Sequence, residues 1–396
     1  MVKKGYKQTE IGVIPEDWEV KPLKVVAPLQ RGFDLPYSSI KDGIYPVVFS
    51  NGIGAYHSSY MVKGPGVVMG RSGTIGKIHY VKSDYWPHNT TLWVTDFHNN
   101  DPLFASYLFK TIPWNLYNSG SGVPTLNRND VQDYLVAIPS PKEQTEIAAI
   151  LSDVDTLINS LKRQIVKKKA IKQGAMQELL TGKRRLPGFS GEWETKKLED
   201  YCSLITKQTG FDYSAYIKPA LITRKMPNTF PMIQTINFRG RKFTFETDYY
   251  IPQSVAMQFP NIVLNKKCVL FSIVGASVGN VGLYHGSITA FCGGAIGITR
   301  FRNEQDAEWV FNYMSSPDGQ SQIQYVTKGG AQATVTIADI RNFKIPTPEK
   351  DERDAISGIL ENMDHEIEVL EQKLEKYREV KQGMMQQLLT GKIRLV

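Results

Sequence analysis

By type and spacing, the residues best suited to chemistry lie in the run Gly70-Arg71-Ser72-Gly73-Thr74-Ile75-Gly76-Lys77, whose glycines, hydroxyls and lysine could cradle a phosphate. A nucleotide-binding phosphate loop places four residues before its Gly-Lys pair, followed by Ser or Thr to hold Mg²⁺. Here five residues intervene and Ile78 follows the lysine, so the run reads as a glycine-bearing turn between strands. Glu194-Thr195-Lys196 has the acidic-x-Lys ending of a nuclease motif, a triplet that arises by chance in a chain this charged. No Asp/Asn-Pro-Pro-aromatic tetrapeptide of an amino-methyltransferase is present. No Gly-x-Gly-x-x-Gly follows a strand to form a dinucleotide or adenosylmethionine site. The six histidines (57, 79, 88, 98, 285 and 365) show neither a His-Glu-x-x-His motif nor zinc spacing. Cys202, Cys268 and Cys292 are scattered without a Cys-x-x-Cys partner, which argues against a disulfide framework and fits a reducing compartment. No catalytic residue, metal or cofactor is expected.

The remaining chemistry is that of a surface suited to nucleic acid. Lysine and arginine number 47 against 39 acidic residues, a formal charge of +8. Cations neutralise phosphates, while Arg, Asn and Gln can make paired contacts to base edges. The runs Lys167-Lys168-Lys169 and Lys183-Arg184-Arg185 sit in helical sequence, where a solvated helix face is an equal reading. Polar loops beside aromatics are better candidates. In the first half these are Arg31, Asn51, Tyr56, His57, Arg71, Ser72, Lys77 and Asn89. In the second they are Arg224, Lys225, Asn237, Arg239, Arg241, Lys242, Ser277, Asn280, Lys328 and Gln332.

An internal repeat organises the elements that position these residues. QGAMQELLTGKRRL at 173–186 recurs as QGMMQQLLTGKIRL at 382–395. Ile147, Ile150, Leu151, Asp155, Ile158 and Leu161 recur 209 positions later as Ile356, Ile359, Leu360, Asp364, Ile367 and Leu370. Trp18-Glu19 and Trp193-Glu194 open the copies, and Pro139-Ser140-Pro141 and Pro346-Thr347-Pro348 precede the helical stretches. Arg71–Lys77 has a counterpart in Val274–Asn280, and Thr125-Leu126 in Thr334-Val335. Apolar residues at 147, 151, 154, 158, 161 and 165, and at 356, 360, 363, 367, 370, 374 and 377, alternate spacings of four and three. That heptad seam predicts two helices of about 40 residues paired as a coiled coil, antiparallel if the repeat closes with pseudo-twofold symmetry. Gly174 and Gly383, then Thr-Gly-Lys at 181–183 and 390–392, read as matching stops. The regions between are rich in Gly, aromatic and β-branched residues and read as strands such as those at 67–69 and 267–271, with short helices such as 103–110. The expected class is α+β, with mostly-β globular domains at 1–138 and 187–345 and long helices at 139–186 and 346–396.

The length of 396 residues suits such a multidomain chain, and 41% hydrophobic with 22% charged residues is an ordinary globular composition. MVKKGYKQTEIG lacks the apolar core of a signal peptide, and no apolar run reaches membrane-spanning length, so a cytoplasmic protein is expected.

The opening run Gly5-Tyr6-Lys7-Gln8-Thr9-Glu10-Ile11-Gly12-Val13-Ile14-Pro15-Glu16-Asp17-Trp18 resembles the start of specificity (S) subunits of type I restriction-modification systems. So do the Ser-Gly-Thr-Ile-Gly-Lys turn at 72–77, the helix start at 139–148 and the Gln-x-Leu-Leu-Thr-Gly-Lys helix ends. The resemblance covers essentially the whole chain. It implies target-recognition domain, spacer helix, target-recognition domain, spacer helix, with each domain reading half of a split, asymmetric duplex DNA target. It also implies a non-catalytic subunit that docks two methyltransferase (M) subunits, with restriction (R) subunits joining for cleavage. Two other readings remain: a coiled-coil scaffold with protein-binding ends, and a self-sufficient restriction or modification enzyme.

Overall fold

In a computed structural model, which describes residues 3–120, 122–327 and 333–395, the chain divides into two compact units. Unit 1 comprises 1–163 with 371–396, and unit 2 comprises 164–370, so each long helix contributes to both. The two compact bodies therefore cut across the four consecutive segments expected from sequence.

In unit 1 an antiparallel sheet runs Leu29–Arg31, Thr91–Val94, Gly66–Gly70, Ile78–Val81. A second sheet places Tyr45–Phe49 between Gly52–His57, antiparallel, and Trp86–Pro87, parallel. A ribbon of Glu19–Pro22 with Leu135–Ile138 closes the unit, and Asp101 caps the helix Pro102–Phe109 by accepting from the Phe104 amide. The strands Gly66–Gly70 and Cys268–Ser272 are buried at every position, so they read as continuous apolar runs rather than alternating ones.

Unit 2 repeats the plan. Its first sheet runs Cys202–Lys207, Ile296–Phe301, Cys268–Ser272, Val281–Tyr284, in the same topological order. Thr229–Ile233 again takes one antiparallel neighbour, Tyr250–Pro252, and one parallel neighbour, Ala290–Cys292. The ribbon is Glu194–Lys197 with Lys344–Thr347. The likeness extends to single hydrogen bonds. The Gly70 amide donates to the Lys77 carbonyl and Gly76 to Gly70, as Ser272 does to Asn280 and Gly279 to Ser272. The Leu126 amide donates to Arg71 and the Val335 amide to Ile273, so the Thr-Leu and Thr-Val landmarks occupy one position in two copies of the frame.

The long helices are Pro141–Leu179 and Lys350–Leu388, about 58 Å each at 1.5 Å per residue. The seam residues Ile147, Leu151, Ile158, Leu161, Ile165, Ile356, Leu360, Ile367 and Leu374 are buried. Both helices continue through Gly174 and Gly383 and end at Leu179 and Leu388, in a turn that leads to the glycine of Thr-Gly-Lys, where Gly182 and Gly391 take φ of +69°. The left-handed backbone is what ends them, and a Cβ on Gly391 would also lie 2.5 Å from the Pro15 ring. In unit 1 the start of the first helix meets the end of the second. Ile147 and Leu151 share a core with Leu388 and Leu389, and the Lys381 ammonium donates to Asp155 at 2.6 Å. In unit 2 Leu179 and Leu180 share a core with Ile356 and Leu360, and Lys172 pairs with Asp364. Within each unit, therefore, the paired segments run in opposite directions.

A buried cluster locks each of these junctions. In unit 1 Glu143, 1% exposed, accepts from the Trp18 indole at 3.0 Å and from Arg394 at 2.6 and 2.8 Å. In unit 2 Glu352, 0% exposed, accepts from the Trp193 indole at 3.0 Å and from both arms of Arg185 at 2.8 Å. Removing one partner of a buried pair leaves a desolvated charge, which costs more than the pair gains. Arg185→Ala and Arg394→Ala should each lower the midpoint of unfolding in denaturant titrations; an unchanged midpoint would show that the carboxylates are solvated. Burial pulls the Glu352 carboxyl up, but hydrogen bonds from Arg185 and Trp193 outweigh it and hold the group below its ordinary 4.5. A depressed carboxyl stabilises above its unfolded value and loses that stabilisation as pH falls through the folded one. The melting-temperature gap between the native chain and Glu352→Gln should accordingly be full at neutral pH and close well below pH 4.5.

Candidate nucleic-acid interface

Six of the eight first-half candidates gather around two side chains that sequence reasoning passed over, Thr90 and Asp34. Thr90 precedes the strand Thr91–Val94; its carbonyl accepts from the Arg71 amide at 2.9 Å and the Ser72 amide at 3.1 Å. Its hydroxyl faces the Ser50 amide at 3.3 Å and His88 Nδ1 at 3.0 Å. Asp34 accepts from Arg31 at 3.0 Å and from the Asn89 amide. Lys77 reaches back from the glycine turn to the Asn51 carbonyl at 2.6 Å. Arg31, Asn51, Arg71, Ser72, Lys77 and Asn89 thus form one polar patch, with Arg31, Asn51 and Lys77 exposed. Burial pushes the His79 and His88 imidazoles below 6.5, so both are neutral at pH 7 and the patch owes its charge to Arg and Lys. The residue types around Thr90 were visible in Asn89-Thr90-Thr91, but no periodicity or charge marks a threonine that organises its neighbours through backbone hydrogen bonds.

Tyr56, 54% exposed, lies apart on the edge strand Gly52–His57. His57 is corrected. It is 6% exposed, its Nδ1 faces the backbone of Lys41 at 3.0 and 3.2 Å, and its ring packs edge-on against Trp86. Strand alternation turns it inward where Tyr56 turns outward.

The second-half candidates are dispersed. Arg239 and Lys242 are exposed on the short ribbon Phe238–Arg239 with Lys242–Phe243, which turns at Gly240 with φ +62°. Arg241 between them is corrected to a structural role. Its guanidinium reaches Glu308 at 2.7 Å and Asp364 at 2.9 Å and lies over the Phe311 ring. Asn237 is also corrected: at 8% exposed, its side-chain oxygen accepts from the Gln234 amide and shapes the local turn. Ser277 and Asn280 are half-buried in the glycine turn, where the Asn280 amide donates to the Ser277 carbonyl. Arg224 and Lys225 are exposed on the loop before Thr229–Ile233. Lys328 and Gln332 lie outside the described residues.

Among the described residues no group of three His, Cys, Asp or Glu side chains could hold a metal ion. The three cysteines are buried and unbridged, and burial pushes the Cys202 and Cys268 thiols up to about 12. No helix of the described residues is long and apolar enough to cross a membrane.

With this geometry in place, comparisons with known proteins become informative. The family model described as the type I restriction modification DNA specificity domain matches twice, over 15–171 and 190–377. The type I restriction enzyme MjaVIII specificity subunit of Methanocaldococcus jannaschii is 26% identical, across 74% of this chain and 70% of that protein. The MjaIX specificity subunit of the same organism is 22% identical across 98% and 96%. Among solved structures, the type I restriction-modification S subunit of M. genitalium superposes with a TM-score of 0.66 at 14% identity, covering 94% of this chain and 96% of that one. A chain from a type I R-M system assembly gives 0.53 at 15% identity, covering 96% and 99%. These two likenesses concern the fold.

The contrast between neighbours on one ribbon is testable. Arg241→Ala leaves Glu308 with Lys267 and Asp364 with Lys172 as their remaining cations and should lower the melting temperature by several degrees, whereas Arg239→Ala should leave it within about one degree. Equal effects would mean that Arg241 is as free as its neighbour.

Proposed function

The chain belongs to the type I restriction-modification DNA specificity family, and on that premise we propose that it is the non-catalytic subunit through which such a complex finds a split, asymmetric DNA target. Each unit reads one half-site, and the chain docks two methyltransferase subunits, with restriction subunits joining for cleavage. The observation that carries this reading is one backbone frame bearing unlike side chains. The bond from Arg71 to Thr90 in unit 1 is matched by one from Ile273 to Ala295 in unit 2. Two similar scaffolds with different surfaces suit two different half-sites.

The long helices supply the spacing. We assign them the role of an antiparallel coiled-coil ruler, a reading supported by the buried heptad seam and by the opposed directions of the paired segments inside each unit. B-DNA repeats every ~34 Å, so a second domain must meet its groove at a fixed distance and rotation. Linking both domains in one chain makes the second contact intramolecular and raises avidity without new contacts.

The test is a tagged pull-down from the native host followed by selection of bound random duplexes. We expect a methyltransferase partner, a bipartite asymmetric motif, and affinity that falls steeply with salt. Loss of one phosphate contact through Lys77→Ala should flatten the log–log salt slope by about 0.9. Salt-insensitive protein partners and no motif would make the chain a scaffold instead.

A further inference from the structure

Among its described residues unit 2 shows no polar patch as dense as the one around Thr90, yet its frame leads to the same place. Arg31 pairs in register with Leu92, and Lys207 with Gly297. The carbonyl that accepts at Thr90 is that of Ala295. Asn89 therefore corresponds to Gly294, and the patch of unit 1 to a cleft of about 400 Å³ in unit 2. Three strand ends converge there: Cys202–Lys207, Thr229–Ile233 and Ala290–Cys292.

Gln208 lies at the floor of this cleft, 4% exposed, and its side-chain Nε2 has no hydrogen-bond partner. Buried polar groups are nearly always paired, so an unpaired amide donor beside a cleft calls for a partner from outside the fold, a water, an ion or a ligand. Position 294 is shaped to fit: a Cβ there would lie 3.0 Å from Gln208 Oε1, so glycine leaves the amide room. Oε1 is the amide atom nearest Gly294, and a half-turn about the roughly two-fold terminal torsion exchanges it with Nε2 and presents the donor to the cleft. Exposed Lys207 stands at the rim with Gln234 and Thr235, and no lining residue is acidic. An unpaired donor beside a cation, without a carboxylate, suits an acceptor carried next to a phosphate.

Resting on the DNA reading above, we propose that this cleft is where unit 2 reads a base, with the Gln208 amide donating to an acceptor on a purine edge, N7 or its neighbour, in the major groove. Lys207 holds the adjoining phosphate, and the Gly293-Gly294 pair lets the base edge approach the backbone. The basic residues singled out by type, Arg224 and Arg239 among them, then serve the DNA backbone. Specificity is carried by a glutamine with no charge to advertise it.

The experiment compares the full chain, purified with the partners it carries from its host, as native, Gln208→Leu and Gln208→Glu. Each is used to select bound random duplexes. Preference at one position of one half-site should fall by about fivefold or more in Gln208→Leu, with the other half-site unchanged. Gln208→Glu should turn that position against a purine acceptor. Replacing the purine there by its 7-deaza analogue should weaken the native chain and leave Gln208→Leu unaffected. The melting temperature of Gln208→Leu should hold or rise, because an unsatisfied donor has been removed. If the native chain selects a split motif and both variants select the same one with undiminished preference, the cleft is not the reader, and the specificity reading stands. A uniform loss over both half-sites with a lowered melting temperature assigns Gln208 to the fold and overturns the proposal. If the native chain selects no motif, the specificity reading falls and takes this one with it.

Discussion

One buried carboxylate closes the helix junction of each unit. Glu143 and Glu352 sit at the first turns of the long helices, each receiving an indole N–H and a forked guanidinium. The arginine comes from beyond the end of the other long helix: Arg394 for Glu143, 251 residues away, and Arg185 for Glu352, 167 residues away. A forked pair fixes distance and plane together, so it sets where the chain must leave one helix to meet the start of the other. The left-handed glycines Gly182 and Gly391 make that exit possible, and Trp18 and Trp193 cover it with apolar surface. The contacts that close unit 1 are long-range, joining Tyr6 to Gly391 and Asp17 to Arg394.

This closure leaves the remaining surface of each unit free to vary. The strand order, the parallel pair beside the central strand and the glycine turn are held by backbone hydrogen bonds, which are indifferent to side-chain identity. At Arg71 and Ile273, or Asn89 and Gly294, the frame persists while the chemistry changes completely. A scaffold of this kind can be duplicated and then diverge in what it presents without losing its geometry. The dispersed basic loops of unit 2 and the gathered patch of unit 1 are two outcomes of that freedom.

What the sequence revealed and what it hid follow from the range of the interactions. The heptad seam was legible because periodicity is local: nine of its thirteen positions are buried, and Val154, Met363, Leu370 and Tyr377 are half-buried. The Thr-Gly-Lys stops were legible for the same reason. Gly174 and Gly383 misled because a helix tolerates glycine where its Cβ position is open, as both are. Arg241 misled because residue type does not reveal a partner 123 positions away, and His57 because strand alternation, not polarity, decided which way it faced. Gln208 was invisible: it carries no charge, belongs to no motif, and matters only through the burial of its amide.

The same point bears on the net charge. An excess of eight cations suggests a basic face, but many of the cations are committed inside the fold. Lys172, Arg241, Lys267, Arg353, Lys381 and Arg394 are each a quarter exposed or less and paired with carboxylates, and Arg185, at 26%, is paired likewise. Asp155 and Asp364, equivalent in the two copies, each take a lysine from the antiparallel helix segment of their own unit. These pairs hold helix to helix and lend little to a distant phosphate. The charge that remains available to a polyanion belongs to side chains such as Lys77, Lys207, Arg224 and Arg239, exposed on loops and strand ends. Composition alone counts every cation equally; pairing and exposure separate those that hold helix to helix from those left at the strand ends of each unit.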